Sequence, residues 1–89
     1  MKAAIEEVVQ DELGRFGVRE IEVRPDEDHD GDPAIYVVIH YAAVDADPDP
    51  ENMSNTMFKL NNRLYAMNEK RFAHVSHVVP EPPKRVRAR

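Results

Sequence analysis

The segment Ile35 to Tyr41 constrains this 89-residue chain more than any other, because it is apolar on both faces of a strand. Successive strand side chains point to opposite sides of a sheet. Ile35, Val37, Ile39 and Tyr41 therefore share one face, and Tyr36, Val38 and His40 the other. A strand with two faces to cover belongs at the centre of a sheet. Val18 to Arg24 alternates, with Ile21 and Val23 on one side and Glu20, Glu22 and Arg24 on the other, as a half-buried strand does. Between the two strands, Asp26 to Asp32 holds five acids, and Asp30-Gly31 is a favoured pair for reversing the chain. The pattern predicts an antiparallel hairpin with an anionic tip.

Two helices and a third strand complete the expectation. Ile5, Val8, Val9, Leu13 and Phe16 recur at helical spacing opposite Glu6, Glu7, Asp11 and Glu12. Gly14 and Gly17 supply the residue type that a left-handed helix end requires, so the first helix should end near Leu13 to Phe16. Asp49 is a suitable N-cap for a second helix, with Pro50 in the first helical position and Glu51 facing the positive end of the helix dipole. At 100° per residue, Met53, Met57, Leu60, Leu64 and Met67 fall within about 80° of arc and form the core-facing stripe. Phe58 and Tyr65 lie together about 120 to 140° round the helix from Met53. Phe72 to Val79 is rich in β-branched and aromatic residues and reads as a third strand, ended by Pro80, Pro82 and Pro83. A right-handed crossover through the second helix makes it parallel to the second strand. The expected fold is α+β: a two-layer αββαβ sandwich with sheet order 1-2-3 and both helices on one face. Residues 1–79 form the single domain, and 80–89 form a Pro-rich basic tail without fixed structure.

Charge and composition narrow the functional classes. The formal charge is −5, yet Lys84, Arg85, Arg87 and Arg89 crowd the tail, whereas Asp26 to Glu51 carries nine acids and no Lys or Arg. That acidic surface repels phosphate, which disfavours nucleic acid there and favours a basic protein partner. Contact with nucleic acid through the basic tail is the alternative for the opposite sign. Cysteine is absent, which removes disulfides, thiolate nucleophiles and thiolate-held metals. No run of apolar residues approaches the roughly 20 that a membrane span needs, and the N-terminus lacks the basic start of a signal peptide, so a cytoplasmic bacterial-type protein without a membrane role is expected.

Sites with specific chemistry are few. Asp26, Asp28, Asp30 and Gly31 match the opening of a calcium loop, D-x-D-x-D-G, and Asp32 adds a further acid. The position that should supply a bidentate Glu is Val37, and strands flank the loop, so calcium affinity at Asp26, Asp28, Asp30 and Asp32 would be weak. Of the histidines, His40 and His74 share a sheet face if the second and third strands pair, while His77 points the other way. Three-histidine zinc is not supported, and His29 stands alone in the hairpin loop. Ser54 and Ser76 lie in no nucleophile motif, and three glycines build no phosphate cradle. No catalytic residue, enzyme activity or cofactor is expected. Association is better supported: Tyr36, Val38 and His40 need a cover if both helices lie on the opposite face, and Phe58 with Tyr65 makes a second apolar strip. Two copies would cover these surfaces as a homodimer.

The segments EVRPDEDHDGDPAIYVVIHY and EKRFAHVSHVV resemble those of small uncharacterised bacterial proteins, some in settings of toxin and antitoxin pairs. The resemblance brings no catalytic residue. It implies a non-catalytic, antitoxin-like regulatory domain whose acidic loops face a basic partner, a charge arrangement that speeds encounter and selects partners.

Overall fold

In the computed structural model, which describes residues 1–81, the chain runs through α1 (Lys2–Leu13), a 3-10 turn (Gly14–Phe16), β1 (Val18–Glu27), β2 (Pro33–Tyr41), α2 (Pro50–Ala66) and β3 (Phe72–Val78). The three strands form one mixed sheet in the order β1-β2-β3, so the fold is α+β with β2 central. β1 and β2 are antiparallel, with Ile21 opposite Ile39 and Val23 opposite Val37. β3 runs parallel to β2, with Ala73 opposite Ile35 and Tyr36 opposite His74.

The two-faced patterning of β2 explains its place. Ile35, Val37, Ile39 and Tyr41 are wholly buried and share one core with Ile5, Val9 and Leu13 of α1 and Leu60 and Leu64 of α2. Tyr36, Val38 and His40 are only half-buried. At about 25 cal/mol per Å² of apolar area removed from water, each fully buried aliphatic side chain of this core contributes about 1.5–3 kcal/mol. Polar clamps lie outside this core. Glu12 accepts from Lys59 and from Asn52 Nδ2 at 3.0 Å and Arg63 donates to Glu7 at 2.5 Å, joining α1 to α2, while Arg15 of the 3-10 turn donates to Asn52 Oδ1 of α2 at 2.9 Å.

Several local expectations shift. The reversal after α1 uses Gly17, which adopts φ 83°, whereas Gly14 is still right-handed at φ −55°; the intervening 3-10 turn consumes the extra residues. The hairpin strands reach further into the acidic segment than the alternation indicated, leaving 28–32 as the loop, with Gly31 at φ 83°. α2 starts where the sequence places it, since the Asp49 carboxylate accepts from the Glu51 N–H at 2.8 Å. Its buried stripe is different: Thr56 joins Leu60 and Leu64 in full burial, Met53 and Met57 sit at the margin, and Met67 is 46% exposed. Thr56 tolerates the core because its hydroxyl donates to Asn52 O at 2.7 Å within the helix. Met67 escapes because the helix ends one residue earlier, so a wheel drawn at 100° per residue no longer describes it. β3 ends at Val78, and the cations of the tail, Lys84, Arg85, Arg87 and Arg89, lie outside the described residues. Among the described residues no helix is long and apolar enough to cross a membrane.

Candidate functional site

α2 carries a second stripe that its first cannot bury. Phe58 and Tyr65 are two turns apart on the solvent side, 68% and 82% exposed. β3 begins beside this stripe with Phe72, itself 49% exposed. Phe58 and Phe72 line one hollow of about 340 Å³ together with Met57 and Asn61. Tyr65 and Phe72 line an adjoining one of about 420 Å³, with Lys70 and Arg71 at its margin. From Phe72 the aromatic contacts continue onto the sheet. Phe72 meets His74 edge-on at 5.2 Å, and His74 stacks on Tyr36 at 5.2 Å with planes 21° apart. A single aromatic run therefore leads from α2 to the even-numbered side of β2.

Three local devices hold this surface. Asn61 reaches from α2 to β3, where its Oδ1 accepts from the Ala73 N–H at 2.7 Å and its Nδ2 donates to the Ala73 carbonyl at 3.2 Å. An amide side chain thereby pairs with the outer edge of β3 as a neighbouring strand would. α2 ends in a Schellman arrangement: Asn68 takes φ 63°, its N–H donates to Tyr65 O at 3.0 Å, and the Glu69 N–H donates to Leu64 O at 2.9 Å. Glu69 then accepts from Arg71 at its backbone N–H (3.0 Å), Nε (2.8 Å) and guanidinium NH2 (2.9 Å). These bonds to Arg71 hold the Glu69 carboxyl down at about 2.

The remaining residues singled out from sequence fall elsewhere. His40 does not join the aromatic run; its Nε2 lies 2.6 Å from Glu22 Oε1 across the β1–β2 pair, and this bond lowers the Glu22 carboxyl. Val38 lies opposite Ser76 on the same even-numbered side. His77 points to the opposite side and meets Tyr41, whose hydroxyl is 2.8 Å from His77 Nδ1. Burial raises the Tyr41 phenol and lowers the His77 imidazole, so at neutral pH both groups are uncharged and share a single neutral hydrogen bond. In the hairpin loop, Asp28 turns inward: its Oδ1 accepts from the Asp30 and Asp32 N–H groups at 2.9 and 3.0 Å, the backbone bond from Asp32 being the main cause of its lowered carboxyl. Asp26 accepts from the Glu27 N–H at 2.7 Å, while Asp30 and Asp32 remain exposed. Among the described residues, no three histidine or carboxylate groups are placed to hold a metal ion. The Asp26–Asp32 and Asp45–Glu51 loops flank opposite ends of β2, about 25 Å apart at ~3.3 Å per residue.

Sequence reasoning found Phe58, Tyr65 and Tyr36 but left out Phe72, His74 and Asn61 as parts of the same surface. Phe72 carried a signal, being the first residue of a predicted strand that follows the helix bearing Phe58. The register that stacks His74 on Tyr36 had none, since parallel pairing leaves no local mark in the sequence. Comparison with family models, with curated proteins and with solved structures gives no match, so function is read from this geometry alone.

Proposed function

We propose that this chain is a non-catalytic protein-binding domain, built as two layers with both helices on one face of the sheet. Its contact surface is the outer stripe of α2 together with the start of β3. The observation that supports this reading is the exposure of Phe58, Tyr65 and Phe72 around two adjoining hollows. Contiguous exposed apolar surface marks interaction sites, and aromatic residues are what the centres of interfaces are enriched in. The acidic loops add selectivity. Asp45, Asp47 and Asp49 precede α2 and place negative charge at one end of the stripe, and Asp30 with Asp32 does the same at the hairpin tip. A basic protein partner is drawn to both by long-range attraction that salt screens. The domain acts by occupying its partner, in the manner of an antitoxin.

The test is a native pull-down at low salt with the wild-type chain and the Phe58→Ser/Tyr65→Ser double variant. The wild type recovers a protein partner in stoichiometric amount, the double variant loses it, and Asp30→Asn/Asp32→Asn weakens it in a salt-dependent way. A pull-down in which no protein distinguishes the wild type from the double variant overturns the reading.

A further inference from the structure

We infer that β3 takes a further strand on its outer edge, an extended segment of the basic partner that runs antiparallel to it. The inference rests on the reading of this chain as a binding domain for a basic protein and names how that protein engages it. Backbone groups of a strand alternate in direction, as its side chains do. Ala73 turns both its N–H and its carbonyl away from β2, since Asn61 of α2 takes them. Val75 and His77 follow at the strand's period and turn theirs the same way, and among the described residues nothing pairs with them. Their N–H and carbonyl groups therefore lie in a row along the margin of the sheet. The opposite margin is not comparable. β1 carries six charged residues and a proline among its ten, the devices that keep an edge from pairing, whereas β3 has no Lys, Arg, Asp, Glu or Pro in its seven.

The surroundings fix the chemistry of that segment. Added strands draw affinity from main-chain bonds and specificity from alternate side chains, and antiparallel pairing is the more stable per residue. Residues directly opposite one another share a face. Those opposite Val75 and His77 lie on the α2 side, where Val75 packs against the core, so β-branched apolar residues fit there. Polar residues fit opposite Ser76, which is exposed on the other face. The Asn61 amide already fills the place opposite Ala73, so the incoming backbone leaves the sheet at that point. Its next side chain meets the hollow of about 340 Å³ between Met57, Phe58 and Phe72, which suits an aliphatic anchor. Beyond the anchor the segment passes the hairpin tip, because β3 begins opposite Ala34, just after the 28–32 loop. Asp30 and Asp32 are exposed there, and Arg71 is neutralised by Glu69, so the two acids outweigh Lys70 and attract cations that follow the anchor.

The probe is a synthetic peptide, acetyl-Val-Thr-Val-Thr-Leu-Lys-Lys-amide, added at millimolar concentration to the full chain at low salt, with amide hydrogen exchange read by NMR. Exchange at Val75 and His77 should slow at least about tenfold, while Ser76, whose N–H points to β2, should stay within about twofold. N-methylation of the peptide's two valines removes the donors that meet Val75 and His77 and should weaken binding at least about tenfold. Exchanging its lysines for glutamates should weaken binding about tenfold, and less as salt is raised. Val75→Pro removes an outward donor and spares the ladder to β2, so it should weaken binding by a similar factor with circular dichroism unchanged. Strand addition is overturned if the peptide leaves Val75 and His77 unprotected, or if the N-methylated peptide binds as tightly as its parent. It is overturned as well if those amides are protected without peptide: protection independent of concentration gives the edge to the chain itself, and protection that rises with concentration gives it to a second copy. If Phe58→Ser/Tyr65→Ser abolishes capture of a native partner and Val75→Pro does not, strand addition alone fails. If neither variant changes any binding, the binding-surface reading fails with it.

Discussion

Asn61→Ala should destabilise the domain far more than the same change one residue later. Asn61 pairs through both ends of its amide with the backbone of Ala73, a wholly buried residue on the edge strand. Each hydrogen bond is worth about 1 kcal/mol net, and each group left unsatisfied costs about 1–3 kcal/mol more if water cannot reach it. Its third bond, to Met57 O at 3.0 Å, adds little because that carbonyl already lies in the helix ladder. Alanine returns about 0.6 kcal/mol of helix propensity relative to asparagine. The balance is about 2 kcal/mol of lost stability, or a Tm lower by about 8–16 °C for a domain of this size. Asn62 is exposed and makes no comparable pairing, so Asn62→Ala should lose nothing and gain at most about the same 0.6 kcal/mol of propensity. Thermal unfolding followed by circular dichroism measures both, and hydrogen exchange at the Ala73 amide should lose at least about tenfold in protection in Asn61→Ala alone. Equal Tm values for the two variants, or an Ala73 amide equally protected in both, would refute the idea that this side chain serves as a substitute strand.

Other perturbations have equally definite outcomes. Leu60→Ala, at a wholly buried position, should cost about 2–5 kcal/mol in denaturant unfolding. Asn68→Ala should cost about 1 kcal/mol because alanine resists φ 63°, while Asn68→Gly should be neutral or slightly stabilising in the same assay. The His77 imidazole is held below its ordinary value by burial, so the unfolded chain binds that proton more readily than the folded one. Stability from this group is complete above about pH 6.5 and declines as pH falls through it; the Tyr41→Phe/His77→Leu pair, which removes both polar groups together, should flatten that part of a Tm-against-pH curve. The Glu69 carboxyl is held at about 2, so its contribution is present above about pH 4.5 and is lost between there and pH 2; the protection of the Arg71 amide relative to its intrinsic exchange rate should fall over that interval, and in Glu69→Gln it should be low throughout.

Local chemistry made much of the fold legible. The two-faced run at Ile35 to Tyr41 marked the central strand, because a strand's period of two assigns each residue to a face without knowledge of its neighbours. Asp49-Pro50 marked the start of α2 for a similar reason, since a cap and a fixed φ act within one turn. The limits of α2's core stripe were harder to read: a wheel assumes that the helix continues, and only the turn at Asn68 removed Met67 from it. The two-stripe character of α2 was visible, as Phe58 and Tyr65 could not share the side occupied by Leu60 and Leu64.

What the sequence determined by itself, then, is whatever depends on neighbours within a turn or a strand: the element order, the α+β class, the anionic hairpin tip and the leftover aromatic pair on α2. Only the tertiary structure decided what those elements do to one another. The parallel register of β3 against β2 stacks His74 on Tyr36, seats Tyr41 against His77 and brings Phe72 beside Phe58; Asn61 then closes the edge at Ala73. Each of those pairs joins residues at least 12 positions apart. Their energies belong to contacts that exist only after the chain has closed its loops, and no local periodicity carries them.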